Sequence, residues 1–231
     1  MHPTVKAARV AGAIYLFLVV TGVFVVMYVP RILFVPGNAS ATANNILASE
    51  LLFRVFIVVE LISTVTFIFL VRALYHLLSG VNKAHASLMA VLVYVSATIG
   101  FVEVVNHVAA LALLRGAEYF AVFDKPQREA LAMLLLGLDG QVLVNQVFWG
   151  LWLFPFGMLV TRSGFLPRIL GIWLLVNGAA YVVLSFIALL LPEYSQLAFN
   201  AAMPALLGEL AIMLWLLIKG AKVQPLAVPA S

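Results

Sequence analysis

Hydrophobic residue types make up 65% of the 231 residues and charged types 10%, against roughly 45–50% and about 25% in soluble domains. A soluble fold of this size has no interior large enough for that apolar surface, whereas a bilayer accepts it. The absence of cysteine excludes disulfides, thiolate metal sites, iron–sulfur clusters and cysteine nucleophiles. The net charge of +4 does not mark a nucleic-acid partner, because the basic residues stand in ones and twos beside apolar runs.

A transmembrane helix needs about 20 mostly apolar residues, and six stretches qualify. They are Ala8–Val29, Leu51–Leu78, Ala86–Leu114, Gln141–Val160, Leu166–Leu191 and Ala202–Ile218. The predicted fold is therefore all-α, a polytopic membrane bundle of six transmembrane helices. The first run follows Lys6 and Arg9 and is read as a retained helix, since it outlasts a signal-peptide core and lacks a small-residue cleavage site.

Between the first two spans, Pro36-Gly37-Asn38 reads as a turn and Ser40–Ser49 as a short helix. Before the fourth span, Asp124-Lys125-Pro126 reads as a helix start. The helix Gln127–Leu136 is predicted to lie on the membrane surface, because a continuous helix to Val160 would be about 50 Å long. Residues 1–223 form one domain on this reading, and residues 224–231, with two prolines, a disordered tail.

The basic residues orient the bundle. With both termini in the cytoplasm, eight lie on the inner flanks (Lys6, Arg9, Arg72, Lys83, Arg162, Arg168, Lys219, Lys222). Five lie outside (Arg31, Arg54, Arg115, Lys125, Arg128).

Acids inside a bilayer cost at least about 2.5–3.5 kcal/mol each and usually face protein or water. Glu60, Glu103, Asp139 and Glu209 are such acids and are the candidate catalytic residues. Asn106, His107, Asn145, Trp149, Trp152 and Asn177 are candidates for holding a substrate beside them. Glu103, Asn106 and His107 stand at i, i+3 and i+4, as do Glu60, Ser63 and Thr64, so each set shares one helix face. If these stripes converge, they line a pocket in the outer half of the bilayer.

A carboxyl group in a low-dielectric medium favours its neutral form, which suits a general acid at neutral pH. Plainer roles stand beside this one. Glu103 and His107 pair within one helix, Asp139 caps the fourth helix, and the amides serve as interhelical hydrogen-bond glue. Glu209 has no such local explanation, being mid-span with no basic residue within a turn. A divalent metal on Glu103, His107 and a further acid is the thinner alternative, with one histidine for a ligand set; no cofactor is called for. Pro155 is expected to kink the fourth span, and Gly12, Gly22, Gly171 and Gly178 to allow close helix packing.

The run from Phe148 to Gly171, with Phe154-Pro155-Phe156-Gly157 and Leu166-Pro167-Arg168 at its heart, resembles the hallmark stretch of the bacterial membrane family catalogued as domain of unknown function 4386. Gly208-Glu209 with Leu214–Gly220, Val35-Pro36-Gly37 and Asn44-Asn45-Ile46 are similar to its other motifs. The resemblance implies a bacterial plasma-membrane protein with an acid near Glu60, an amide near Asn106, and acids at Asp139 and Glu209; Glu103 and His107 depart from that pattern.

Three functions compete on these residues. The first is a membrane-embedded enzyme acting on a lipid or isoprenoid by carboxyl acid–base chemistry. The second is a lipid-binding or accessory protein without turnover. The third is a proton- or cation-coupled transporter, for which six helices are few unless the chain forms a homo-oligomer. The expected partner is a membrane lipid or isoprenoid.

Overall fold

The computed structural model describes residues 3–137 and 141–222. Asp139 and the tail 224–231 lie outside the described residues.

The first span is longer than its apolar run suggests. Helix α1 (Pro3–Val23) continues through a π turn, Phe24–Tyr28, into α2 (Val29–Leu33). Pro30 accounts for the wide turn: a proline ring crowds the carbonyl four residues back, here Val26, and offers it no N–H. The Val29 N–H instead reaches the Phe24 carbonyl, the i to i+5 bond of a π turn.

Asn38 caps the short helix α3 (Ala39–Ala48), its side chain accepting the Ala41 N–H at 2.9 Å. The second and third spans follow as α4 (Glu50–Leu78) and α5 (Lys83–Leu114). Helix α6 (Lys125–Leu135) starts at a capping box of Asp124 and Gln127. Glu129 is buried against α3, where its Oε2 accepts the Ser40 hydroxyl at 2.5 Å, while its Oε1 lies 3.6 Å from the Lys125 ammonium in the first turn. These two short helices thus tie the loops at one end of the bundle together.

The fourth span is two helices, α7 (Gln141–Leu151) and α8 (Leu153–Arg162). The break at Trp152 falls where Pro155 withholds the N–H that the Leu151 carbonyl would meet. The fifth span is α9 (Arg168–Leu190) and the sixth α10 (Ser195–Ile218). The last helix starts seven residues before the expected Ala202 and carries Pro204 in its interior. The Pro204 carbonyl accepts the Trp173 indole N–H at 3.0 Å, and the Leu206 carbonyl accepts the Asn177 amide at 3.3 Å. Those bonds let α9 support α10 through its proline.

Six helical segments are long and apolar enough to cross a membrane: Thr4–Leu33, Glu50–Leu78, Lys83–Leu114, Leu143–Arg162, Arg168–Leu190 and Pro192–Ile218. Each packs on the next in chain order, and the last returns to the first. The spans form a closed ring. Both described termini sit at one end, where the Arg9 guanidinium donates to the Ile218 carbonyl at 3.2 Å.

Glycines set the closest approaches. A Cβ on Gly150 would lie 2.6 Å from the Gly178 carbonyl oxygen, and one on Gly171 would lie 2.7 Å from that of Gly157. Both pairs are reciprocal, so α7 and α8 run backbone to backbone along α9. Gly12 meets the backbone of Leu217 in the same way, whereas Gly22, also expected at a packing contact, faces open space. Gly171→Val is therefore expected to lower thermal stability in detergent, since overpacking costs about 1–3 kcal/mol or more. Gly22→Val, with nothing within 4 Å to clash, should melt near wild type; equal melting of the two variants would contradict the glycine seam.

Candidate functional site

Two apolar cores fill the bundle and leave space between them. Toward the termini, Tyr15, Leu74, Trp152, Phe156 and Leu216 pack together. Toward the other end, Leu33, Ile46, Phe53, Leu114 and Ala132 form the second core. Between them lies a cavity of about 880 Å³, floored by Tyr15, Phe67 and Trp152 and roofed by Phe34, Phe56 and Leu136.

Helical spacing places a polar ribbon on its walls. Ser96, Gly100, Glu103 and His107 recur every three or four residues along α5, so one face carries all four, and all four line the cavity. Glu60, Ser63 and Thr64 line it from α4, Asn145, Trp149 and Trp152 from the fourth span, and Glu209 from α10. Gly100 leaves room for the Thr64 side chain, whose hydroxyl would stand 3.0 Å from a Cβ there.

The acids form two stations. In the first, His107 Nδ1 lies 2.6 Å from Glu60 Oε2, with both side chains 10% exposed. Phe56 and Phe53 pack against the imidazole, at ring-centroid distances of 5.0 and 6.4 Å. The expected pairing of Glu103 with His107 along one helix is thus replaced by a bond between α4 and α5. Glu103 instead accepts the Asn145 amide at 3.3 Å, and Asn145 in turn accepts the Ser96 hydroxyl at 2.6 Å. The second oxygen of Glu103 has no partner among the described residues.

In the second station, the Tyr15 hydroxyl donates to Glu209 Oε1 at 2.5 Å. The Tyr181 hydroxyl interacts with the same carboxyl group, and its ring meets Trp149 edge to face at 6.3 Å. Glu209, which has no local partner in sequence, therefore finds two tyrosines on two other helices. The readable signal was the amphipathic tyrosine itself, since a phenol inside an apolar span needs a polar partner.

Of the candidates read from sequence, Glu60, Glu103, His107, Asn145, Trp149, Trp152 and Glu209 meet at one cavity. Asn106 is half-buried on α5 and does not line it. Asn177 is fully buried between α9 and α10, away from the cavity wall. Among the described residues, no three histidine, aspartate or glutamate side chains are grouped as a metal would need.

Six apolar spans closed around an interior cavity define a multi-pass membrane protein. The chain belongs to the family described as "Domain of unknown function (DUF4386)", whose profile matches residues 10–220. It is also similar to a protein of Archaeoglobus fulgidus described as "Uncharacterized protein", with 30% identity over 81 residues. That alignment covers 35% of this chain and 47% of the relative, so the chain spans about half the relative's length. No solved structure matches.

Proposed function

We propose that the protein is a membrane-embedded enzyme acting on a lipid or isoprenoid by carboxyl acid–base chemistry, with both termini on the cytoplasmic side of a bacterial plasma membrane. The observation carrying this reading is the convergence of Glu60, Glu103, His107 and Glu209 on one largely apolar cavity of about 880 Å³. Ligand pockets run to about 300–1,000 Å³ and are mostly apolar with a few placed polar groups. Both features suit a long hydrocarbon with one reactive position.

The reaction class that fits is redox-neutral. A protonated carboxyl group delivers its proton to a carbon–carbon double bond, whose electron pair forms the new C–H bond. The adjacent carbon becomes cationic, and a second carboxylate or the imidazole removes a proton next to it. The electrons of that C–H bond close a new double bond, which yields an isomerised product without oxidant or water. Phe56, Phe67 and Trp152 supply aromatic faces, whose quadrupole favours a cation.

A second reading, lipid binding without turnover, draws support from the pairing of the acids. Glu60 and Glu209 already bond to protein side chains and need no reaction to satisfy them.

Native mass spectrometry of detergent-purified protein, followed by lipid extraction, separates these roles. The expected result is one lipid-class molecule bound stoichiometrically, which acquires carbon-bound deuterium when the protein is incubated in D2O. A bound lipid that keeps its hydrogen would sink the enzyme and leave the binding protein. An empty protein that carries gradient-dependent flux across vesicles would reject both in favour of transport.

A further inference from the structure

The first and last helices of the ring do not meet along their whole length. Near the termini they are zipped together: Gly12 lies on the Leu217 backbone, Gly220 packs on Val5, and Arg9 bonds the Ile218 carbonyl. Among the described residues, the last hydrogen-bonded tie is that from Tyr15 to Glu209. Beyond it, the inward residues of both helices line the cavity. Among the described residues lining that cavity, the widely exposed ones are Val23, Val26, Met27, Leu207 and Leu210. They range from 39% exposed at Leu210 to 59% at Met27, and all come from the first and sixth spans. Other lining residues from α4, α5, the fourth span and α9 are buried or half-buried.

We propose that this gap is a lateral portal through which the hydrocarbon chain of a membrane lipid enters the cavity from the bilayer. The inference rests on the acid-lined cavity being a lipid site. Its occupant follows from position: the rim residues lie inside two apolar spans, Thr4–Leu33 and Pro192–Ile218, so the opening faces hydrocarbon, and every widely exposed side chain at its rim is apolar. Gly22 lines the opening with nothing within 4 Å of where a Cβ would stand, which leaves width for an acyl chain.

Both portal helices are also weakened at this level. The π turn Phe24–Tyr28 and Pro30 stand in the first, and Pro204 stands inside the sixth just before Leu206, Leu207 and Leu210. A π turn and a proline each remove or lengthen helix hydrogen bonds, so these are the places where a helix bends. The portal can widen there without disturbing the glycine-packed zip near the termini.

Trp152 reports on entry, because it lines the cavity and is 1% exposed. A variant retaining it as the sole tryptophan (Trp149→Phe, Trp173→Phe, Trp215→Phe) is reconstituted into phosphatidylethanolamine–phosphatidylglycerol vesicles whose acyl chains are brominated. Bromine quenches tryptophan at short range, so a chain in the cavity reaches Trp152 in its wall. The expected result is quenching of Trp152, lost when Val23→Cys and Leu207→Cys are joined by a bifunctional thiol reagent, which the cysteine-free chain makes specific. Gly22→Phe, which puts a ring into the gap from a position with nothing within 4 Å of its Cβ, should block quenching without any cross-link. Undiminished quenching in both blocked proteins overturns the portal while leaving the cavity a lipid site. No quenching in the open protein overturns the lipid reading as well.

Discussion

Glu60→Ala is expected to destabilise the bundle by about 3–5 kcal/mol if the Glu60–His107 contact is a buried ion pair, because removal of one partner strands the other charge. If the contact is a hydrogen bond between neutral groups, the loss falls to about 1–3 kcal/mol, the cost of an orphaned buried polar atom. The geometry favours a large value in either case: the separation is 2.6 Å, both side chains are 10% exposed, and Phe53 and Phe56 close off the imidazole. The two residues sit on neighbouring spans, so the bond also fixes the register of α4 on α5.

Unfolding in mixed micelles with increasing sodium dodecyl sulfate, followed by circular dichroism, measures this through a double-mutant cycle with His107→Ala. The double variant should lose much less than the sum of the single losses. Glu60→Gln separates the two cases: an amide still bonds a neutral imidazole and should retain most of the stability, whereas it leaves an imidazolium without its counter-charge and should lose nearly as much as Glu60→Ala. Additive losses, within the roughly 0.3–0.5 kcal/mol seen for independent sites, would show that the pair carries no coupling.

What could be read from the sequence was the part set by one-dimensional signals. The spans follow from apolar run length, and the start of α6 from Asp124 and the proline at Pro126. The inward stripes follow from spacings of three and four: Glu60 with Ser63 and Thr64, and Glu103 with His107, do face one cavity. Helical spacing, however, fixes which residues share a face and not which helix stands opposite. His107 therefore looked like a partner for Glu103 on its own helix, when the closer group is Glu60 on α4.

The ring order had the same cause, and with it the meeting of Tyr15 and Glu209, 194 residues apart. Helix boundaries failed for a different reason. The expected spans end at Val29 and begin at Ala202, beside Pro30 and just before Pro204, yet a π turn and side-chain bonds from Trp173 and Asn177 carry the helices on to Leu33 and back to Ser195. In an apolar medium, continuing the helix keeps the remaining backbone groups bonded, which ending it there would not.

The largest functional effect is expected at the second station. Glu209→Gln should lower incorporation of deuterium into the bound lipid by at least about 100-fold, the usual share of a general acid or base, while native mass spectrometry still finds the lipid bound. The amide keeps the shape and accepts the Tyr15 hydroxyl through its oxygen, but it neither donates nor takes a proton in the reaction. Tyr15→Phe separates chemistry from placement. Tyr15 is a positioning residue: its hydroxyl holds Glu209 Oε1 at 2.5 Å from the floor of the cavity, at the last hydrogen-bonded tie between the two portal helices among the described residues. Its loss should reduce kcat with KM for added lipid little changed, and Tyr181, which interacts with the same carboxyl group, should preserve part of the rate. The opposite pattern, Glu209→Gln active and Tyr15→Phe inactive, would assign the proton to the phenol. Full activity in both would confine the second station to holding α1, α9 and α10 together and move the acid–base work to Glu60, Glu103 and His107.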